Sequence, residues 1–192
     1  MSDLTIRVME PKDCPQYVAH IARHAAESGG PGDVIFMPFD DTSPYDAVAS
    51  GARRERLWAV SPGEPEWHRM WGLFDGELQV GHCELNGDFV PAMLHRAGLS
   101  MGLERPYRRR GLGRDLLQRA IDWAAAQPFL EWIDLGVFGT NPAAQRLYQR
   151  AGFVEIGRVT DRFRVAGERV DDISMTLELR KLRSESTSSI AT

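Results

Sequence analysis

At the start of the chain Leu4, Ile6 and Val8 alternate with Thr5 and Arg7, the period of a strand with one buried face. Pro11-Lys-Asp-Cys-Pro15 leads into a helical stretch over residues 17–27, and the breaker run Ser28-Gly-Gly-Pro-Gly32 ends it. Residues up to Pro44 keep no period, which predicts a long irregular loop, and a short helix is expected over about 46–55. Two strand-like runs, residues 70–74 and 78–85, flank Asp75-Gly-Glu and read as a hairpin. A further strand is expected over about 94–103. From Leu112 the apolar residues Leu116, Leu117, Ala120, Ile121 and Ala124 fall at steps of 4, 1, 3, 1 and 3, an amphipathic helix ending near Gln127-Pro128.

Residues 131–138 suit a largely buried strand. Asn141-Pro142 then supplies a helix start, Ala144, Leu147, Tyr148 and Ala151 form one face, and Gly152-Phe153 supplies the stop. Two last strands are expected over about 153–159 and 173–179, with Ala166-Gly167-Glu168 able to turn a hairpin between them. The Ser- and Thr-rich residues 181–192 read as a frayed tail behind a single domain, residues 1–180.

Composition narrows the class without naming a function. With 192 residues, 43% hydrophobic and 26% charged, the chain is an ordinary globular protein. Lys plus Arg number 23 against 27 Asp plus Glu, a net charge of −4, which disfavours a general affinity for nucleic acid or anionic membrane. No apolar run spans a membrane and the first seven residues lack the apolar core of a signal peptide, so a cytoplasmic protein is expected. Cys14 and Cys83 stand far apart without ligand spacing, so neither a disulfide framework nor a metal site is indicated.

The chemistry concentrates in Arg108-Arg-Arg-Gly-Leu-Gly-Arg114, between an expected strand and an expected helix. Unpaired backbone N–H groups at such a helix start make a nest for a phosphate or pyrophosphate. A dinucleotide fingerprint would need a third glycine where Leu116 stands, and no GxxxxGK[ST] loop occurs. A solvated basic turn or a nucleic-acid patch is the alternative for the arginines.

This segment resembles the signature [Q/R]xxGx[G/A] of the GCN5-related N-acetyltransferase (GNAT) superfamily, met by Arg108-Arg-Arg-Gly111-Leu-Gly113. A second motif, Asn141-Pro-Ala-Ala-Gln-Arg-Leu-Tyr148-Gln-Arg-Ala-Gly152-Phe153, is similar to the family's NxxAxxLYxxxGF. The resemblance takes in nearly everything except residues 28–70 and the tail. It implies an α/β (α+β) fold, a mixed and strongly twisted sheet with helices on both faces, whose two central strands splay to admit acetyl-CoA.

Carried onto this chain, the backbone of Met101, Gly102 and Leu103 would pair with the pantetheine arm and polarise the thioester carbonyl. Arg108, Arg109, Arg110, Gly111, Leu112, Gly113 and Arg114 would hold the pyrophosphate. Asn141 would contact the arm, and Tyr148 would aim its hydroxyl at the sulfur as the acid. An amine acceptor, mostly ammonium at neutral pH, needs a base; Glu84, His95 or a water chain are the candidates. No metal is required.

The resemblance implies an acetyl-CoA-dependent N-acetyltransferase acting on a primary amine. A non-catalytic CoA-binding or nucleic-acid-associated module is the alternative. Polyamine, amino acid, antibiotic and protein acceptors stay open, and a homodimer is a reasonable expectation. Trp67 and Trp71, four apart, read as core packing or an acceptor pocket, and Asp40, Asp41 and Asp46 as a solvated loop or an attraction for a cation.

Overall fold

The computed structural model describes residues 3–188. The strands are β1 (Leu4–Val8), β2 (His68–Asp75), β3 (Leu78–Gly87), β4 (Arg96–Leu103), β5 (Trp132–Phe138), β6 (Val154–Val165) and β7 (Glu168–Glu178). The helices are α1 (Cys14–Ala26), α2 (Ala47–Leu57), α3 (Leu112–Ala126), α4 (Pro142–Arg150) and α5 (Leu179–Ser188). The strands form one sheet in the order β1-β2-β3-β4-β5-β7-β6, and only β4 and β5 run parallel.

Alternation along β3 shows how the layers are built. Cys83 and Leu85 point into the larger core, with Leu116, Leu117, Ala120 and Ala124 of α3. His82 and Glu84 point to the other face, under α1 and α2, where they meet His20 and Arg54. Trp67 and Trp71 are both buried and pack on Trp123 of α3 at centroid distances of 5.6 and 5.7 Å. They are core residues, each contributing on the order of 1.5–3 kcal/mol through burial.

The predicted elements appear in order, with instructive shifts. The short helix is α2, and Asp46 is its N-cap, accepting from the Ala49 N–H at 2.8 Å. The last hairpin is far longer than 153–159 and 173–179. β6 is the edge strand with most of its residues exposed, so burial leaves little period to read. Its turn, Ala166 at φ 50° and Gly167 at φ 81°, places both central residues in the left-handed region, as a two-residue hairpin turn requires.

The expectation of a frayed tail from residue 181 is corrected. α5 continues through Ser188, Leu182 packs on the core, and Arg183 donates to the carbonyls of Ala125, Gln127 and Leu130 at 2.7–2.8 Å. The remainder of that predicted tail, 189–192, and the first two residues of the expected leaderless start lie outside the described residues. Among the described residues no helix is long and apolar enough to cross a membrane.

Candidate active site

β4 and β5 pair only over Arg96↔Trp132, Ala97↔Ile133 and Gly98↔Asp134. Beyond that point β4 runs on to Leu103 and β5 to Phe138 without pairing, so the two parallel strands diverge. β4 stays paired to β3 through Gly81↔Leu103, so the divergence strips the ladder from one edge of β4 only. Met101, Gly102 and Leu103 all lie on this unpaired half. Backbone groups on that edge need a partner, and an extended chain laid in the gap would supply it.

At the end of β4 the chain turns through Arg105–Tyr107 into the nest. Arg109 at φ 58° and Gly111 at φ 82° are left-handed residues two apart in this turn, a backbone that aims successive N–H groups into a shared concavity. The N–H groups of Arg109, Arg110, Gly111, Leu112 and Gly113 have no partner among the described residues. The start of α3 adds its dipole.

Two members of the expected set are placed differently. The Arg114 N–H already bonds the Gly111 carbonyl at 2.9 Å, and its guanidinium lies out in solvent near Asp115. The guanidinium of Arg108 is engaged with the Leu103 carbonyl at 2.8 Å, with Asp33 at 2.6 Å and with Glu27. It ties the loop after α1 to the end of β4 instead of reaching for an anion. Arg109 and Arg110 are exposed, and Arg110 lies 5.6 Å over the Tyr107 ring.

Asn141 is the N-cap of α4 through its Oδ1, which accepts from the Ala144 N–H at 3.1 Å. Its Nδ2 donates to no described residue, so the amide can cap and contact a ligand together. Tyr148 is buried in the core against Phe153, and its hydroxyl has no hydrogen-bond partner among the described residues. Burial, and after it the nearby Cys83, push the phenol well above its ordinary range, so it stays protonated.

Glu84 does not lie free to act as a base. It is 1% exposed, with Oε2 held by Arg54 at 2.9 and 3.1 Å and Oε1 by His68 at 2.9 Å. Burial alone would raise its carboxyl, but His68 and Arg54 outweigh that and hold it below the ordinary range. His95 is exposed in the turn before β4. Met101 lies six residue steps further along the chain, roughly 20 Å at the usual strand rise. Neither expected base therefore offers a free basic atom beside the divergence.

Sequence reasoning passed over three histidines that the fold gathers there. His20 and His24, four apart on α1, meet His82 of β3, with ring centroids 5.1–5.9 Å apart. The spacing of 20 and 24 on one helix face was the available signal; the partner strand was not readable. Among the described residues no group of His, Cys, Asp or Glu is arranged to hold a metal ion.

On the same sheet face as His82 and Glu84, beyond the cover of α1 and α2, β4, β5 and β7 hold a depression of about 560 Å³ at the mouth of the divergence. Asn86, Gly98, Asp134, Gly136 and Asp172 line it. Asp134 is held by Arg96 in two bonds of 2.6 Å and by Thr176 at 2.7 Å, whereas Asp172 has no hydrogen-bond partner among the described residues.

A model of the acetyltransferase (GNAT) family matches residues 37–153. A GNAT-family acetyltransferase from Streptococcus pneumoniae superposes with a TM-score of 0.78 at 25% identity, covering 92% of this chain and 99% of that one. yncA from Salmonella typhimurium, solved with its cofactor acetyl-CoA, has the same fold at 0.72 and 20% identity, covering 93% and 95%. So does the spermidine/spermine N-acetyltransferase SpeG of Vibrio cholerae, at 0.69 and 22% identity over 95% and 98%. The family match spans more than half of the chain and the fold agrees throughout, and the chain is a member of the GNAT acetyltransferase family.

Proposed function

We propose that this protein transfers the acetyl group of acetyl-CoA to the nitrogen of a small primary amine. The observation that carries the reading is the loss of β4–β5 pairing after Gly98↔Asp134, in line with a nest of five unpartnered N–H groups at the end of the same strand. An extended arm with a pyrophosphate at one end fits both features at once. The residues present therefore suit acetyl-CoA, which supplies the activated thioester.

The chain's own groups then divide the work. N–H groups of residues 109–113 hold the pyrophosphate, while the unpaired backbone at Met101, Gly102 and Leu103 orients the arm and polarises the thioester carbonyl. Nδ2 of Asn141 donates to the arm. Tyr148, kept protonated by burial, gives its proton to the leaving sulfur. The acceptor enters over β4, β5 and β7 on the part of the His82 face that α1 and α2 leave open, where the free carboxylate of Asp172 favours an ammonium group. A depression of that size suits a small molecule. The assignment uses one domain that takes in α5, and a cytoplasmic setting.

Calorimetry with acetyl-CoA followed by free-thiol release over a panel of polyamines, amino acids and aminoglycosides tests the reading; absence of binding would end it. Two variants test the roles. Tyr148→Phe should lower kcat roughly 10²-fold while leaving acetyl-CoA affinity nearly intact, since only the departing thiolate needs the proton. Asp172→Asn should raise KM for the amine roughly fivefold with kcat little changed, the size expected for one partly exposed charge.

A further inference from the structure

The unassigned part of the reaction is removal of the proton from the acceptor ammonium. Glu84 is engaged with Arg54 and His68 and His95 lies at the far end of β4, which turns attention to the groups packed on Gly102. Gly102 pairs with His82 across the β3–β4 ladder. A Cβ placed on Gly102 would stand 2.3 Å from His24 Nε2 and 2.9 Å from His82 Cε1. Two imidazoles thus lie directly against the β4 backbone where it has lost β5, and only a glycine lets them approach.

Behind them runs a continuous hydrogen-bonded chain. Glu104 Oε1 is 2.8 Å from His20 Nδ1, and His20 Nε2 is 2.9 Å from His82 Nδ1. Arg23 also donates to both oxygens of Glu104, at 2.9–3.2 Å. Burial alone would raise the Glu104 carboxyl, but the His20 and Arg23 hydrogen bonds outweigh it and keep the group ionised.

An ionised carboxylate only accepts, so His20 Nδ1 donates to Glu104, and with His20 neutral its Nε2 accepts. That makes the His82 Nδ1–H the donor and leaves the His82 Nε2 lone pair free. No described residue bonds this nitrogen, and it is absent from the fully enclosed, unpartnered polar atoms, so it keeps some contact with solvent. By contrast His24 Nδ1 is enclosed without a partner, 3.8 Å from Glu27.

We propose that Glu104, His20 and His82 form a proton relay, in which His82 Nε2 takes the proton from the acceptor amine on the α1-covered side of β4. The proposal rests on the transferase reading above and supplies its base. The nitrogen sheds two protons in all. His82 takes the first, freeing the lone pair; as the N–C bond forms and the C–S bond breaks, one proton ends on the sulfur and one in solvent. Charge arriving on His82 is shared with His20 through Nδ1–H···Nε2 and is balanced by Glu104. His82 is the catalytic residue, and His20 and Glu104 are positioning residues.

The surroundings favour a neutral His82 at rest. Tyr17, His20 and His24 of α1, Arg54 of α2 and its neighbour Glu84 on β3 face it, with Arg23 and Glu104 behind His20. Burial, then His20, His24 and Arg54, hold its proton affinity far below that of free imidazole. His24 is pushed down to about 3, mostly by burial. Both rings are thus in the basic form at pH 7.

The test uses the full chain, acetyl-CoA, and the best alkylamine from the panel as probe. His82→Gln should lower kcat about 10²-fold at pH 7 while the acetyl-CoA Kd from calorimetry stays within about twofold. Its kcat/KM should climb about tenfold per pH unit toward the amine's own pKa of about 10.4, because only free amine then reacts. With methoxyamine, already neutral at pH 7, the loss should shrink to about tenfold or less.

Glu104→Gln should move the acid limb of the wild-type profile to lower pH, since loss of the carboxylate makes protonated His82 less stable. A merely structural role would depress every pH equally. His20→Gln should follow His82→Gln, and His20→Gln and Glu104→Gln together carry the test if His82→Gln does not fold. A folded His82→Gln with wild-type kcat and pH profile overturns the relay and leaves the transferase reading standing. A wild-type protein that binds acetyl-CoA and releases no thiol with any amine overturns both.

Discussion

Gly111→Val should raise the dissociation constant for acetyl-CoA at least about 10²-fold. Gly111 sits at φ 82°, where a β-branched residue is strained by on the order of 1–3 kcal/mol. The chain would relieve that strain by rotating the peptide planes on either side, and those planes carry the N–H groups of Gly111 and Leu112 in the middle of the nest. Nothing lies within 4 Å of a Cβ at this position, so the effect is conformational and not a clash. Gly111→Asn separates the two, because asparagine tolerates the left-handed region and should keep affinity within a few-fold. Calorimetry with acetyl-CoA reads both variants. Unchanged binding by the valine variant would remove the pyrophosphate from this turn.

Glu84→Gln should cost about 3–5 kcal/mol of stability, measured by urea unfolding at neutral pH. The reason is Arg54, whose side chain is 20% exposed and whose guanidinium would keep its charge beside a neutral amide. Replacing both partners, as Arg54→Met with Glu84→Leu, should recover most of the loss, since an apolar pair leaves no charge unpaired. The ion pair also sets an acid limb. Glu84 is held below the ordinary carboxylate range in the folded state, so its contribution is present above an unfolded pKa of about 4.3 and fades as pH falls through the lower folded value. Stability of Glu84→Gln should therefore depend less on pH below about 4.3. The folded variant should keep the wild-type pH profile of kcat, because Glu84 does not hold the proton; a lost acid limb would return the base to Glu84.

Much of this protein was legible before any fold existed, and the legible parts share a physical trait. Asn141-Pro142 and Gly152 mark the ends of α4 because caps and stops are decided by a residue and its neighbours within one turn of chain. The glycines of Arg108–Arg114 announced the nest for the same reason: a left-handed φ is a property of one residue. α3 was readable from its apolar steps, since one face is buried along its whole length. β6 was not, because an edge strand with both faces in solvent keeps no pattern.

What failed locally also failed for a reason. Arg108 looked like a free cation, and only packing showed its partners, Glu27 and Asp33, which lie 81 and 75 residues away. Glu84 looked like a base on a strand, but α2 brings Arg54 from 30 residues away to close it off. His82 carried no local mark, and its chain to His20 and Glu104 spans separations of 62 and 84 residues. The amino-acid sequence by itself determined most of the elements, though not the extent of β6 or α5, together with the nest, the caps and the family, because these follow from dihedral preferences and periodicity over a few residues. The engaged carboxylate and the histidine chain under α1 were decided by the tertiary structure alone, since each depends on which distant side chains share one buried, low-dielectric space.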